Sequence, residues 1–218
     1  MNKEELINEL KKINISITKE QLYLIDEFYN LLIEWNKKIN LTRITQKEDF
    51  YLKHVYDSLT INKVIDLNNI NTLCDIGTGA GFPGIILKII YPNLDITLID
   101  SQNKKIIYLN DIIKKLKLEK IKAIHIRGEQ HKEKYDIITS RAVANINKLT
   151  DYTMHLLNEN GLLIALKGDI EKELDSKTKK EIEKKYIINK IEKFYLPKEN
   201  SKRSIIILSN KSLKNNKL

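Results

Sequence analysis

Residues Thr72 to Gly84 read TLCDIGTGAGFPG, and this stretch decides the fold. Thr72 to Ile76 is a short, mostly apolar run with a carboxylate, Asp75, just before its end. Gly77, Gly79 and Gly81 follow, and Pro83 and Gly84 open a second apolar run that reads as a helix. Glycines at a strand-to-helix turn let the backbone approach a ligand closely, which is how βαβ folds hold nucleotides.

Downstream, short apolar runs alternate with amphipathic segments. The pattern predicts strands near 72–76, 95–100, 121–126, 135–140, 161–167, 186–194 and 203–208. A helix over 103–117 places Ile106, Leu109, Ile113 and Leu116 on one face. Between the last two strands Pro197, Asn200 and Ser201 suggest a hairpin, so one strand should run antiparallel in an otherwise parallel sheet. The expected fold is α/β: a Rossmann-like, seven-stranded, mostly parallel sheet with an antiparallel C-terminal hairpin.

Upstream the period is helical. Leu6, Ile7 and Leu10, then Leu22, Ile25, Phe28, Leu32 and Ile33, recur at 3.6-residue spacing. Thr18 with Gln21 three residues on reads as a capping box opening a long helix that ends near Asn40. We therefore expect an N-terminal helical region over 1–67, an α/β domain over 68–210 and a frayed tail over 211–218.

Bulk properties narrow the function. The 218 residues are 42% hydrophobic and 31% charged, and no apolar run approaches the ~20 residues a membrane helix needs. The N-terminus alternates acids and lysines, unlike a signal peptide, so a cytosolic protein is expected. The single cysteine, Cys74, lies in an apolar strand and allows neither a disulfide framework nor a cysteine metal site. A net charge of +9 points to a polyanionic partner, although lysine-rich coding bias gives the same sign. Of 38 basic residues only Arg43, Arg127, Arg141 and Arg203 are arginine, leaving 34 lysines. Where a bidentate fork or stacking on a base is required Lys cannot replace Arg, so these four are informative.

The loop itself argues about its ligand. A dinucleotide fingerprint wants G-x-G-x-x-G, but counting from Gly77 and Gly79 puts Phe82 at the third position, where it would obstruct helix packing or a pyrophosphate. Asp75 at the loop would repel a pyrophosphate and suits a cationic sulfonium and amino group. Asp100, 25 residues further on at the end of the second strand, can accept from two ribose hydroxyls. S-adenosylmethionine combines these features. A small-molecule methyltransferase fits the loop equally well, and a catalytically silent RNA-binding protein on the same fold is a third possibility.

WNKKINLT from Trp35 to Thr42, His54-x-x-Asp57-Ser58-Leu59, DIGTGAGFPG from Asp75 to Gly84, Ser140-Arg141-Ala142 and Leu166-Lys167-Gly168 resemble the glucose-inhibited division protein B family, bacterial small-subunit ribosomal RNA guanine-N7 methyltransferases. The motifs are colinear and span nearly the whole chain. The resemblance implies a class I methyltransferase fold, cofactor contacts at Gly77, Phe82, Gly128, Glu129 and Arg141, and functional arginines at Arg127, Arg141 and Arg203. Two departures, Ile86 where the family often has Pro and Gly128 where a small apolar residue is usual, bear on loop geometry. With the loop carboxylate and its glycines, the expected cofactor set is Asp75, Gly77, Gly79, Phe82, Asp100, Gly128, Glu129 and Arg141.

Guanine N7 carries an in-plane lone pair in the neutral base, so methylation there needs alignment, with no proton removed and no covalent nucleophile. On this view Arg141 bridges cofactor and substrate, Arg127 and Arg203 orient RNA, and Lys167 and Asn40 assist. For Arg127 an ion pair with Glu129 or Glu133 is the structural alternative. His54 and Asp57 are expected to be a helix-packing pair outside catalysis. The implied partner is 16S ribosomal RNA, in the small subunit or an assembly intermediate, with a monomeric enzyme and no metal.

Overall fold

A computed structural model describes residues 1–141, 145–171 and 173–211. Of the expected 211–218 tail only Lys211 is among them, and Ala142 of the Ser-Arg-Ala motif also lies outside the described residues. Helix α1 (Lys3–Lys11) and helix α2 (Lys19–Asn36) each start with a capping box, Asn2 with Glu5 and Thr18 with Gln21, satisfying two backbone donors at each helix's N-terminus. Helix α2 stops four residues before the expected Asn40. The Asn36 carboxamide oxygen accepts from Leu41 N (2.8 Å) and Thr42 N (2.9 Å), which turns the chain out of the helix. Next come α3 (Lys47–Phe50), a π-helical turn (Tyr51–Tyr56), α4 (Asp57–Leu59) and a 3₁₀ turn to Lys63.

Strand β1 (Thr72–Ile76), α5 (Gly84–Ile90), β2 (Asp95–Asp100), α6 (Asn103–Lys115) and β3 (Ile121–His125) form the first half of the sheet. β4 (Tyr135–Arg141), α7 (Ile146–Thr153), β5 (Leu157–Lys167), α8 (Ser176–Lys185) and the hairpin β6 (Tyr186–Tyr195) with β7 (Lys202–Asn210) form the second. The strand order is β3-β2-β1-β4-β5-β7-β6. Strands β1 to β5 pair in parallel, and β7 runs antiparallel to both of its neighbours, β5 and β6. Seven strands and the antiparallel hairpin agree with the sequence.

Side chains alternate across the strands and so feed two cores. Leu73, Ile96 and Leu98 share one with Leu6, Leu10, Ile25, Phe28 and Leu32 of the N-terminal helices and with Ile85 and Leu109. Cys74, Ile99 and Ile138 point the other way, to Ile146 and Leu149 of α7 and Ile182 of α8. The helical region thus covers one sheet face and shares its core. Cys74 is fully buried, and burial pushes its thiol well above the ordinary value, as suits an inert packing residue. The chain crosses the sheet from β3 to β4, so strand order reverses between β1 and β4. The crevice outside the carboxyl ends of those two strands is where open α/β sheets hold ligands.

Candidate active site

Two clefts open along this carboxyl edge. The first, of about 260 Å³, is lined by Ile76, Gly77, Ile99, Asp100, Ser101, Ile126, Arg127, Gly128, Glu129 and Tyr152, from the ends of β1, β2 and β3 and from α7. Gly77 takes a left-handed φ of 67° while its N–H donates to Ile99 O at 2.8 Å, so the loop leaves β1 sharply and stays sewn to β2. Asp100 holds the loop from β2. Its Oδ2 accepts from Gly79 N (3.0 Å) and from the Lys105 ammonium (3.2 Å), and its Oδ1 accepts from Gln102 N (2.9 Å). A Cβ on Gly128 would stand 3.3 Å from Tyr152 O and 3.4 Å from its ring, so glycine here lets the α7 tyrosine close over the cleft. The result is a largely apolar slot with two carboxylates in its lining, in a chain that is otherwise strongly basic.

The second cleft, of about 280 Å³, lies beyond β4 and is lined by Ile44, Lys53, His54, Asp57, Thr60, Arg141, Leu166, Lys167, Gly168, Phe194, Arg203, Ser204 and Ile205. Asp57 is its keystone. One carboxylate oxygen accepts from Arg203 Nε at 2.9 Å and the other from Arg141 Nη1 at 3.4 Å, with all three side chains at most 21% exposed. Arg203 Nη1 also donates to Ser201 Oγ (2.7 Å) and Lys202 O (3.0 Å), so that among the described residues Nη2 remains as the other donor of its fork. Arg141 Nη1 donates to Lys53 O (3.0 Å), and its guanidinium stands 5.1 Å over the Phe82 ring. Burial raises the Asp57 carboxyl above its ordinary value against the pull of both guanidiniums. Lys167 pairs with Glu173 at 2.8 Å.

His54 completes the arrangement. Its ring stacks on Phe82 (4.1 Å between centroids, 10° between planes), and its Nδ1 lies 3.1 Å from Arg141 Nη2. Arginine only donates, so Nδ1 is the acceptor and Nε2–H donates to Thr42 Oγ1 at 3.0 Å. Burial, with the Arg141 charge second, drives His54 down to about 3, so the imidazole is neutral. As pH falls below the unfolded value of about 6.5 the unfolded chain takes up a proton that the folded chain refuses, and stability is lost progressively toward pH 3. The stability gap between the native protein and His54→Gln is therefore expected to shrink by about 2 kcal/mol between pH 7.5 and 5, read from urea titrations at each pH. A constant gap would show that His54 protonates freely in the fold. Comparing the two proteins cancels Asp75, whose raised value of about 6 acts in the opposite direction.

The structure brings Gly77, Asp100, Gly128 and Glu129 together in the first cleft and Arg141, Arg203 and Lys167 in the second. It corrects the other expectations. Asp75 is fully buried, its carboxylate accepting from Thr78 Oγ1 (2.7 Å), Gly84 N (3.0 Å) and Thr139 Oγ1 (3.3 Å), so it braces the loop from beneath and cannot face a sulfonium. Gly79 contributes its N–H to Asp100 and does not line the cleft. Phe82 is 3% exposed and turns into the core against His54, Phe28 and Phe50. Arg127 is exposed at the rim of the first cleft, away from the other arginines, and Glu133 pairs with Lys122 instead. Asn40 is exposed on the loop after α2 and lines neither cleft. Asp57 and His54, assigned to helix packing, prove to be the centre of the second cleft. Tyr152, Ser101 and Ile126 were missed, and nothing in their local sequence marks them.

A family model described as rRNA small subunit methyltransferase G, GidB, matches residues 21–206. The chain is 41% identical over 221 residues to the Ribosomal RNA small subunit methyltransferase G of Bacillus licheniformis, covering 97% of this chain and 92% of that protein. It is 41% identical over 215 residues to the protein of the same name from Bacillus subtilis, covering 95% and 90%. Among solved structures, mitomycin 7-O-methyltransferase MmcR superposes with TM-score 0.59 at 13% identity, over 84% of this chain and 60% of that one. A fibrillarin/Nop5p complex gives 0.54 at 17%, over 69% and 78%. Likeness at these identities speaks for the class I methyltransferase fold alone. The sequence likeness spans both the helical region and the sheet, and with it this chain belongs to the GidB family, rRNA small subunit methyltransferase G.

Proposed function

We propose that the chain transfers a methyl group from S-adenosylmethionine to N7 of a guanine in 16S ribosomal RNA, in the small subunit or an assembly intermediate. One observation carries the reading: a slot lined by two carboxylates and a cavity with two clamped guanidiniums flank the reversal of strand order at β1 and β4. The first cleft suits the cofactor. Asp100 and Glu129 offer acceptors to hydroxyl and amino groups, and Ile99, Ile126 and Tyr152 offer apolar walls for a flat base. When bound, S-adenosylmethionine supplies an electrophilic methyl group.

The protein's own residues then have one task, to hold guanine with N7 in line with that methyl group. Arg141 and Arg203 can contact phosphate or guanine O6 while leaving N7 free. A neutral His54 with both nitrogens engaged has no proton to move, which agrees with a reaction that needs no base. Arg127, at the rim of the first cleft, faces the cofactor side, while Lys167 assists at the cavity.

Among the described residues no helix is long and apolar enough to cross a membrane. We take the enzyme to act as a monomer in the cytosol. Mass spectrometry of small-subunit RNA from cells with and without the protein tests the function. One methyl group should be missing from one guanine, and identical RNA would overturn the reading. S-adenosylhomocysteine, but not NAD, should raise the melting temperature.

Arg203→Lys keeps the charge and loses the fork. One ammonium cannot hold Asp57, Ser201 Oγ and Lys202 O together, so both rate and stability should fall. We expect methylation to drop about 100-fold, the melting temperature to fall by about 2–8 °C for ~1–2 kcal/mol, and S-adenosylhomocysteine affinity to stay within about twofold. Single-turnover kinetics, thermal melting and calorimetry on one preparation check this. A native rate would mean that charge alone matters at this position.

A further inference from the structure

Beyond the guanine cavity, the β6–β7 hairpin carries a second aromatic residue that the methyl-transfer reading leaves unused. Tyr195 is 55% exposed, and it closes β6 next to Phe194, which lines the cavity. The two neighbours alternate across the strand, so one aromatic ring borders the cavity and the next turns away from it. Tyr195 lines an open cleft of about 470 Å³ with Gly168, Asp169, Asn200, Ser201, Lys202 and Arg203. Gly168 and Arg203 belong to both clefts, so the two are separated by a single wall.

We propose that this adjoining cleft binds the nucleotide next to the target guanine, with its base stacked on Tyr195 and its sugar-phosphate link crossing Arg203. The inference rests on the RNA reading of the cavity. A base lifted out to present N7 leaves its neighbour unstacked, and an exposed ring beside the cavity replaces the lost stacking for any base, since each has a π-face. Charge favours stacking over a general ionic grip. The Lys202 ammonium is matched by Asp169 (3.0 Å) and Glu171 (3.5 Å), so the floor of this cleft is close to neutral.

The platform is also held in place. Leu196 N donates to Ser201 O at 3.0 Å to close the turn, Lys198 pairs with Glu5 of α1, and Glu199 pairs with Lys53 at 2.9 Å. The turn is thereby pinned to the helical region at two points, so a base meets a ring whose backbone is already ordered.

The test is steady-state methylation of purified, unmethylated small subunits by the native protein, Tyr195→Ala and Tyr195→Phe. We expect Tyr195→Ala to raise KM for the subunit about tenfold, with kcat and S-adenosylhomocysteine affinity within about twofold, and Tyr195→Phe to keep the native KM, because the ring and not the hydroxyl stacks. Because Tyr195 is exposed, both variants should melt with the native protein. A native KM in Tyr195→Ala overturns the proposal, and so does a Phe variant as impaired as the Ala variant, which would assign a hydrogen bond instead. Native protein that methylates no subunit sinks the RNA reading and this inference together. Native protein that methylates normally beside an unaffected Tyr195→Ala sinks this inference alone.

Discussion

Asp57→Ala is expected to cost about 3–5 kcal/mol of stability and to lower methyl transfer by at least ~100-fold. Among the described residues the carboxylate is the one group that touches both guanidiniums, one through each oxygen, and removing it leaves two largely buried positive charges facing each other. Their repulsion should part Arg141 from Arg203 and break the geometry proposed to hold guanine. Asp57→Asn separates charge from shape. Its carbonyl oxygen can still accept from Arg203 Nε, but its amide N–H₂ would meet the donors of Arg141, so an intermediate loss is expected. Urea titration reads the stability and single-turnover methylation reads the rate. In a double-mutant cycle, removing Arg203 as well should recover part of the stability lost in Asp57→Ala, because one unpaired charge is then gone. Additive losses, or an alanine variant with native rate, would show that the bridge is incidental to function.

The same residue shows how far the sequence can be read. The sheet was legible because a buried parallel strand must be an apolar run, and the runs at 95–100 and 135–140 have polar, turn-forming flanks. Strand β5 begins four residues before the apolar run that marks it in the sequence. Its start at Leu157 pairs with Tyr135 across a bulge, and the polar Asn158, Glu159 and Asn160 hide it. The glycine loop was legible as a ligand turn, but the direction of its acid was not. Asp75 and Asp100 look alike in sequence, and what separates them is that Thr78, Thr139 and Gly84 close over the first.

His54 and Asp57 were legible as a pair three residues apart on a helix and no further. Their partners arrive from Arg141 and Arg203, 84 and 146 residues beyond Asp57, and the turn that presents His54 is π-helical, a distortion with no residue signature. Long-range partners of this kind are set by topology. Here the topology brings one wall of the second cleft from the helical region and the other from β4, β5, β6 and β7.

Asp100→Ala is the variant expected to strike the other cleft hardest, and the structure enlarges the expected effect. Loss of an acceptor for two ribose hydroxyls alone would weaken cofactor binding by about 1–3 kcal/mol. The carboxylate also accepts from Gly79 N and Gln102 N, so alanine releases the tip of the glycine loop and the start of α6 at the same time. S-adenosylhomocysteine affinity should therefore fall by about 100-fold or more, near the upper end of that range, while the fold survives because Asp75 still braces the loop from below. Asp100→Asn divides the two contributions. Its carbonyl oxygen can serve one backbone amide, but its N–H₂ would face the other amide or a ribose hydroxyl as a donor, so binding should fall by an amount between those of the native protein and Asp100→Ala. Calorimetry with S-adenosylhomocysteine gives the affinities, and hydrogen exchange at Gly79 and Gln102 reports the release of the loop. If affinity drops while exchange at both amides stays slow, the ribose contact carries the whole effect. If affinity is unchanged in the alanine variant, Asp100 serves only the backbone and the cofactor is held elsewhere.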